Sequence, residues 1–557
     1  MAELQPGDRF DYVIVGAGSA GCVLANRLSE DPNVKVALLE AGGKNTSVLV
    51  RMPAGAGALI ADKSAFNWGF ETTPQANLDN RVLFQPRGRG LGGSSAINGM
   101  IYIRGHARDY DQGRQMGLTG WGYADVRLYF KRAQHHEDGA DAYNGESGPL
   151  WVSRGAPGNP LYKAFIQAGM QAGYPATRDF NGYQQEGVGP YHLTIKDGER
   201  WSAAAAYLNP IAATRPNLKV ISDAYATRVV FDGKTAKGVE YAAGPGKPTS
   251  VVYADREVLL CGGAFQSPQL LLLSGIGPAE ELKKVGVDVV HDAPGVGRNL
   301  QDHLDISLIW ECTKPITVYT LTKGFKRTMV GLDWMLRKQG PGRSNHLQSG
   351  GLLKTRKELD RPDIQLHLVN AMMINHGKEP GDRDGFTIHA CQLRPESRGT
   401  IKLGSKDPFA NPLIDPHYLD SDVDRATLRD SVRIVRDIIG QPAMADYRGP
   451  EMRPGDHVRT DAEIDAWIRR TAETIYHPVG TVRMGADANA PLDGELRVRG
   501  VEKLRVIDAS VMPTLVGGNT NAPTIMIAEK LADVLRGKPA LAPVEAPTAE
   551  DRERVAV

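Results

Sequence analysis

Residues 10–15 (FDYVIV) form a mostly apolar run, the pattern of a strand buried on both faces of a sheet. Over 19–31 (SAGCVLANRLSED) the spacing changes to helical, with Ala20, Leu24 and Leu28 on one stripe. Residues 34–40 (VKVALLE) return to the strand pattern. Strand, helix and strand within about 30 residues make a βαβ unit, which predicts a parallel sheet with a right-handed crossover. A second strand-like run at 257–261 leads through Gly262 and Gly263 into a helical 266–275, and a third at 505–508 precedes a helical 522–536. One nucleotide-binding domain therefore draws on the whole chain.

The middle of the sequence reads differently. Between about 311 and 465, short strand-like pieces (DIQLHLVN, FTIHACQL, GTIKL) alternate with Pro-, Gly- and Asp-rich turns, a spacing that predicts an antiparallel sheet. The predicted fold is α/β plus α+β. A discontinuous Rossmann-type domain takes residues 1–160, 200–310 and 465–536, and an antiparallel-sheet substrate domain takes 161–199 and 311–464. The Pro-, Ala- and charge-rich 537–557 predicts a disordered tail.

Composition narrows the function classes. The chain has 557 residues, 41% hydrophobic and 24% charged, with a formal net charge of +1, so the chain as a whole has no electrostatic reason to bind nucleic acid. The four cysteines, Cys22, Cys261, Cys312 and Cys391, form no C-x-x-C pair, which predicts isolated buried thiols and no metal site. His135 and His136 read as part of a solvated helical face. The start of the chain has no signal-peptide pattern and no apolar stretch approaches the ~20 residues of a membrane span, so a cytoplasmic protein is expected.

Gly16, Gly18 and Gly21 form G-x-G-x-x-G between the first strand and first helix. The first glycine permits the tight turn, the second lets the backbone approach a pyrophosphate, and the third allows close helix–sheet packing. The helix N-terminus supplies free N–H groups to the phosphates. Glu40 ends the second strand, where an acid accepts hydrogen bonds from a ribose diol. This pattern predicts a dinucleotide and does not separate FAD from NAD.

Residues 88–111 (GRGLGGSSAINGMIYIRGHARDYD) and 262–277 (GGAFQSPQLLLLSGIG) resemble the two signature motifs of the glucose–methanol–choline (GMC) oxidoreductase family. Residues 294–303 (PGVGRNLQDH), 476–485 (YHPVGTVRMG) and 506–530 also look like blocks of that family, in the family's order. The resemblance implies FAD between the two domains. It places Gly16, Gly18, Ser19, Ala20, Glu40 and Ala41 at the nucleotide end, with Ala226 facing the adenine. It places Arg89, Gly92, Gly93, Ser94, Asn98, Gly99 and Ile101 beside the pyrophosphate and flavin, and Asp508, Ala509, Asn519, Pro523 and Thr524 along the ribityl chain and ring. Some family members attach FAD through a histidine just before the motif asparagine. Ile97 stands there, so non-covalent FAD is expected.

Oxidising an alcohol requires a base at the hydroxyl and a second polar group that fixes the oxygen while the carbon faces the flavin. By the resemblance His477 is the base and Asn519 the orienting residue. Asn521, two residues on, is the alternative to Asn519, and His303 and His346 are expected to make structural hydrogen bonds. Residues 11–29, 101–106 and 469–481 are most similar to the family's aliphatic alcohol dehydrogenases, with polyethylene-glycol and choline dehydrogenases nearly as similar. That favours a primary alcohol oxidised to an aldehyde and a quinone-type acceptor, with oxygen as the alternative. Peripheral contact with the inner membrane is compatible with a quinone, although no segment stands out as a basic amphipathic anchor. Choline ranks second: Trp310, Tyr319, Trp334 and Gln348 are candidates for a cage, without an obvious acid beside them. The family's hydroxynitrile lyases and fatty-acid photodecarboxylases are the non-redox alternatives, and Cys391 invites the second comparison.

Overall fold

A computed structural model of the chain describes residues 7–155, 158–379 and 381–549. The strand Arg9–Val15 sits at the centre of a parallel sheet, between Val36–Leu39 and the long strand Thr249–Leu260, with Leu218–Ile221 beyond Val36–Leu39. The far half of the long strand, Val258–Leu260, pairs in parallel with Leu504–Val506, while its near half is antiparallel to Thr235–Ala242, which pairs with Tyr225–Asp232. Helices Ser19–Leu28 and Asn521–Leu535 pack on each other beside this sheet. Ile14, Leu24, Val36, Leu259 and Ile525 are buried in one continuous core. Truncating any of them to alanine costs about 2–5 kcal/mol.

The second sheet is antiparallel and runs Arg448–Arg453, Leu304–Cys312, Gly385–Gln392, Ile364–Val369, Ser349–Leu353, Gly187–Pro190. Glu473–Thr474 pairs with the start of Leu304–Cys312. Helices Asp422–Gly440 and Asp461–Thr471 cover it, and Leu308, Leu366, Phe386, Val432 and Trp467 share its core.

Four expectations change. Leu304–Cys312 was divided at residue 310 by the expected boundary, but ladder pairing along its whole length puts it entirely in the substrate-side sheet. Helix Asp461–Thr471 likewise buries its apolar face in the substrate-side core, so the chain crosses back after Thr474, not at 465. Residues 537–549 are not a free tail: Leu541 N–H donates to the Tyr129 hydroxyl, Val544 N–H to the Ala124 carbonyl, and Ala546 is buried. Residues 550–557 lie outside the described residues. Gln134–His136 is a strand, not a helical face, with the His136 ring 4.8 Å from that of His192. All four cysteines are free and buried. No helix among the described residues is long and apolar enough to cross a membrane.

Candidate active site

A cavity of about 490 Å³ runs between the two sheets, from Glu40, Trp68 and Ala226 at one end to His477 and Asn519. The glycine turn builds its floor. Gly16 has φ +98°, and a Cβ there would lie 2.6 Å from the Cys261 carbonyl. The signature loop closes over the turn: a Cβ on Gly93 would stand 2.7 Å from the Cα of Gly18. Glu40 ties the two together, one carboxylate oxygen accepting from Ala17 N–H at 2.9 Å and the other from Gly42 and Gly90 N–H at 2.8 and 2.9 Å.

The helices Ser19–Leu28 and Asn521–Leu535 both begin on this cavity, and neither has a side-chain cap. Their first N–H groups are open to an anionic or electron-rich ligand. Asp508 is fully committed: it accepts from Gly263 N–H, the Ser267 hydroxyl, and the N–H and hydroxyl of Ser510, and burial raises its carboxyl above the usual range. A narrow glycine cradle, uncapped helix ends and an aromatic far end suit a dinucleotide.

Ser19, Ala20, Ala41, Ser94, Asn98, Gly99, Ile101, Ala226, Ala509 and Thr524 line the cavity, with Gly16, Gly18, Gly93 and Asp508. Three expected contacts lie off its wall. Gly92 gives its N–H to the Ala17 carbonyl, bracing the two loops from behind. Arg89 stacks over Trp68 and donates to the Ala41 carbonyl. Pro523 lies on the opposite side of its helix from Asn521 and Thr524 and packs into a small void with Trp121 and Val516. Trp68 and Arg200, which holds the Asn98 side chain through its Oδ1 at 2.9 Å, were not anticipated. Ile97 lines the cavity where a histidine could have bonded a ligand.

At the other end the backbone brings distant residues together. Pairing of Leu304 with Thr474, and an Ile475 N–H donated to the His303 carbonyl, place His303 beside His477. Asp302 accepts the His477 N–H at 2.8 Å. Tyr476, with φ +74°, is held in the left-handed region just before the histidine. The loop carrying Asn519 is held by Asp109, which accepts the Gly517 N–H at 2.7 Å and pairs with Arg394. Asn519 Nδ2 thereby lies 3.1 Å from His477 Nε2. Asn521 is turned away and accepts from the Ser19 hydroxyl.

The hydrogen-bond partners assign the protons. His303 Nε2 faces the Leu393 carbonyl, which only accepts, so that nitrogen carries a hydrogen. Burial pushes the His303 imidazolium down to about 3, so the ring is neutral and its Nδ1 is an acceptor. His477 Nδ1, 3.0 Å away, must then be the donor. This leaves a lone pair on His477 Nε2, toward Asn519 and the cavity. Burial, and then His303, His367 and Arg87, depress His477 well below the usual histidine value, so it too is neutral. His367, also on the cavity wall and pushed down to about 3 by burial, was not singled out from the sequence.

Beyond the histidines the substrate end carries two acids that the sequence did not reveal. Asp305 Oδ2 lies 2.6 Å from His389 Nδ1, while its buried Oδ1 has no hydrogen-bond partner among the described residues. Burial raises this carboxyl above the usual range, with His389 opposing. Glu473 is shared between Arg81 and His376, whose other ring nitrogen meets the Tyr476 hydroxyl at 2.5 Å. Trp467 and Tyr476 complete that part of the wall. Trp310, Tyr319, Trp334 and Gln348 do not line it.

Comparison with known proteins bears on the family and the fold. Models of the GMC oxidoreductase family match residues 10–305 and 395–528. The chain belongs to the GMC oxidoreductase family. It is 47% identical to human mitochondrial choline dehydrogenase, over 98% of this chain and 93% of that protein. It is 48% identical to an oxygen-dependent choline dehydrogenase of Burkholderia multivorans, over 95% and 94%. Among solved structures, a pyridoxine 4-oxidase from Mesorbium loti is 33% identical with a TM-score of 0.86, over 95% of this chain and all of that one. A formate oxidase of Aspergillus oryzae is 27% identical with a TM-score of 0.88, over 96% and 99%. Like other GMC enzymes, this one is a flavoprotein oxidoreductase whose cofactor is FAD.

Proposed function

We propose that this enzyme oxidises choline, or a closely similar cationic primary alcohol, to its aldehyde. Sequence patterns alone ranked a neutral aliphatic alcohol first, and the 47–48% identity to choline dehydrogenases reverses that order. The observation that carries the reading is Asp305: a buried carboxylate with one oxygen unpartnered, on the wall of the same cavity as His477. A buried carboxylate oxygen without a partner is costly, and His389 answers only the other one, so a ligand cation on this side would supply compensating charge. Glu473, Tyr476 and Trp467 lie on the same wall, and an aromatic face beside an acid suits a quaternary ammonium.

In this reading the cation seats against Asp305 and the hydroxyl reaches the other side of the pocket. Asn519 donates to the alcohol oxygen, and the His477 Nε2 lone pair takes the hydroxyl proton. FAD supplies the acceptor for the hydride leaving the carbon, so the alcohol loses two electrons and two hydrogens in all. Asp302 and His303 act through His477, fixing its backbone and its tautomer. FAD is held without a covalent bond, Ile97 offering no nucleophile. The electrons then pass to a quinone-type acceptor.

The charge reading is tested with choline and 3,3-dimethyl-1-butanol, its neutral isostere. Choline is expected to have the higher kcat/KM by about 10–100-fold, and Asp305→Asn to remove most of that preference. Equal kcat/KM for the two alcohols would sink it. A neutral aliphatic alcohol is the second reading, favoured by Ile309, Val369, Met373 and Ile374 on the cavity wall. Under that reading 1-butanol outruns choline. Comparing oxygen with a ubiquinone analogue as acceptor tests the quinone assignment.

A further inference from the structure

The helix Phe325–Arg337 is put together inside out. Phe325, Met329, Leu332 and Leu336 fall at i, i+4, i+7 and i+11, on one face. That face is turned to solvent: the four side chains are 75%, 50%, 45% and 81% exposed, with Met335 beside them. The opposite face anchors the helix. Trp334 is buried, its indole N–H donates to the Gly198 carbonyl at 2.7 Å, and the Lys338 ammonium lies 3.7 Å from its ring. An exposed apolar stripe of this length marks an interaction surface.

Charge identifies the partner. Residues 318–343 hold Lys323, Lys326, Arg327, Arg337, Lys338 and Arg343 against the single acid Asp333, in a chain whose net charge is only +1. Among the described residues, Lys326 and Arg327 have no carboxylate partner, and Lys323 is exposed beside them. Apolar side chains with Lys326 at their edge, and Lys323 and Arg327 exposed at the same end of the helix, suit the boundary of an anionic bilayer, where the side chains enter the acyl region and the cations meet lipid phosphates. At 13 residues the helix is about 20 Å long and lies on such a surface without spanning it.

The position of the helix fits. Val318, just before it, and Asn345, His346 and Leu347, just after it, all line the active-site cavity. Glu199 ties Lys338 to Arg51 at the end of the helix Val48–Arg51, whose Val48 and Leu49 are also exposed.

We propose that the helix Phe325–Arg337 is a docking face for an anionic lipid bilayer, holding this side of the cavity against the membrane. The proposal does not depend on which alcohol is oxidised. It is tested by flotation of the FAD-loaded enzyme with phosphatidylcholine vesicles, with and without about one-third phosphatidylglycerol. Two variants are compared: Phe325→Ser/Met329→Ser/Leu336→Ser, and Lys326→Glu/Arg327→Glu. The wild type is expected to float with the anionic vesicles and at least about tenfold less with the neutral ones, and each variant to lose at least about tenfold of the anionic binding. Turnover with a soluble dye acceptor should be unchanged in both, which separates lost docking from lost folding. Variants that float as well as the wild type, or a wild type that stays with the lipid-free fraction, overturn it. So does a wild-type dimer without vesicle binding that the triple variant converts to monomer, since the stripe would then be covered by a second copy.

Discussion

His303 Nδ1 lies 3.0 Å from His477 Nδ1, and the Leu393 carbonyl behind it decides which of the two carries the proton. Replacing His303 with Phe removes the acceptor that holds the His477 tautomer. A fall in kcat of about 10–100-fold is expected, the usual cost of losing an orienting partner. On acidification His303 also competes with His477 for a proton and, once protonated, opposes a second charge beside it, so without His303 the acidic limb of the kcat/KM profile should move to higher pH. An unchanged profile would show that His303 merely fills space.

Asn519 and Asn521 should separate kinetically. Asn519→Ala removes the donor 3.1 Å from His477 Nε2 and should lower kcat by about 10²–10³-fold with FAD retained. Asn521→Ala breaks the contact with Ser19 at the cofactor cradle and should weaken FAD retention more than turnover of the loaded enzyme. Absorbance at 450 nm relative to 280 nm, read beside kcat, distinguishes the two.

Gly93→Ala should abolish FAD binding. Its Cβ would meet backbone, the Gly18 Cα at 2.7 Å, at a position with φ +51°, so neither rotamer change nor side-chain movement relieves it. Purified protein is expected to be colourless. A yellow preparation with a normal flavin spectrum would mean that the two glycine loops separate easily.

The enzyme should lose stability as pH falls below about 6.5. His303, His346, His367 and His477 are all depressed by burial, to about 3 or 4 for the first three and well below the usual value for His477. Between the unfolded pKa and the depressed folded one, the unfolded chain binds protons that the folded one does not, so unfolding gains on acidification. Each histidine contributes up to about 1.4 kcal/mol per pH unit in that window. Melting temperatures measured from pH 7.5 to 5 should fall steadily. A flat profile would show that these rings are protonated in the native state.

How much of this was legible in the sequence follows from the reach of each signal. The glycine turn, Glu40 and the first helix are local, and periodicity and spacing reveal them. The pairing of His477 with Asn519 came from whole-family motifs. Asp305 stayed hidden because it sits in LDISLIW, an apolar run. Only the ladder shows that Asp305, Ser307 and Ile309 line the cavity while Ile306, Leu308 and Trp310 alternate into the core. The same alternation removes Trp310 from the cage expected of it and stacks it on Phe386. His303 was seen as a structural hydrogen bonder, but its partner depends on which strand meets Leu304, a contact between residues 174 apart. The basic amphipathic helix escaped notice because its stripe is outward-facing, whereas an apolar period is ordinarily read as core.

The strand Leu504–Val506 and the helix Asn521–Leu535 finish a sheet begun by residues 9–15. A growing polypeptide therefore cannot assemble its flavin cradle until residues 504–535 have emerged, long after the strand and glycine turn that begin it. The substrate half, nearly all of it made earlier, has to wait beside an unfinished partner. Loading with the vitamin-derived coenzyme thus becomes a checkpoint on completed chains, and a prematurely terminated product lacking those final segments would be inert toward alcohols and unable to reduce anything.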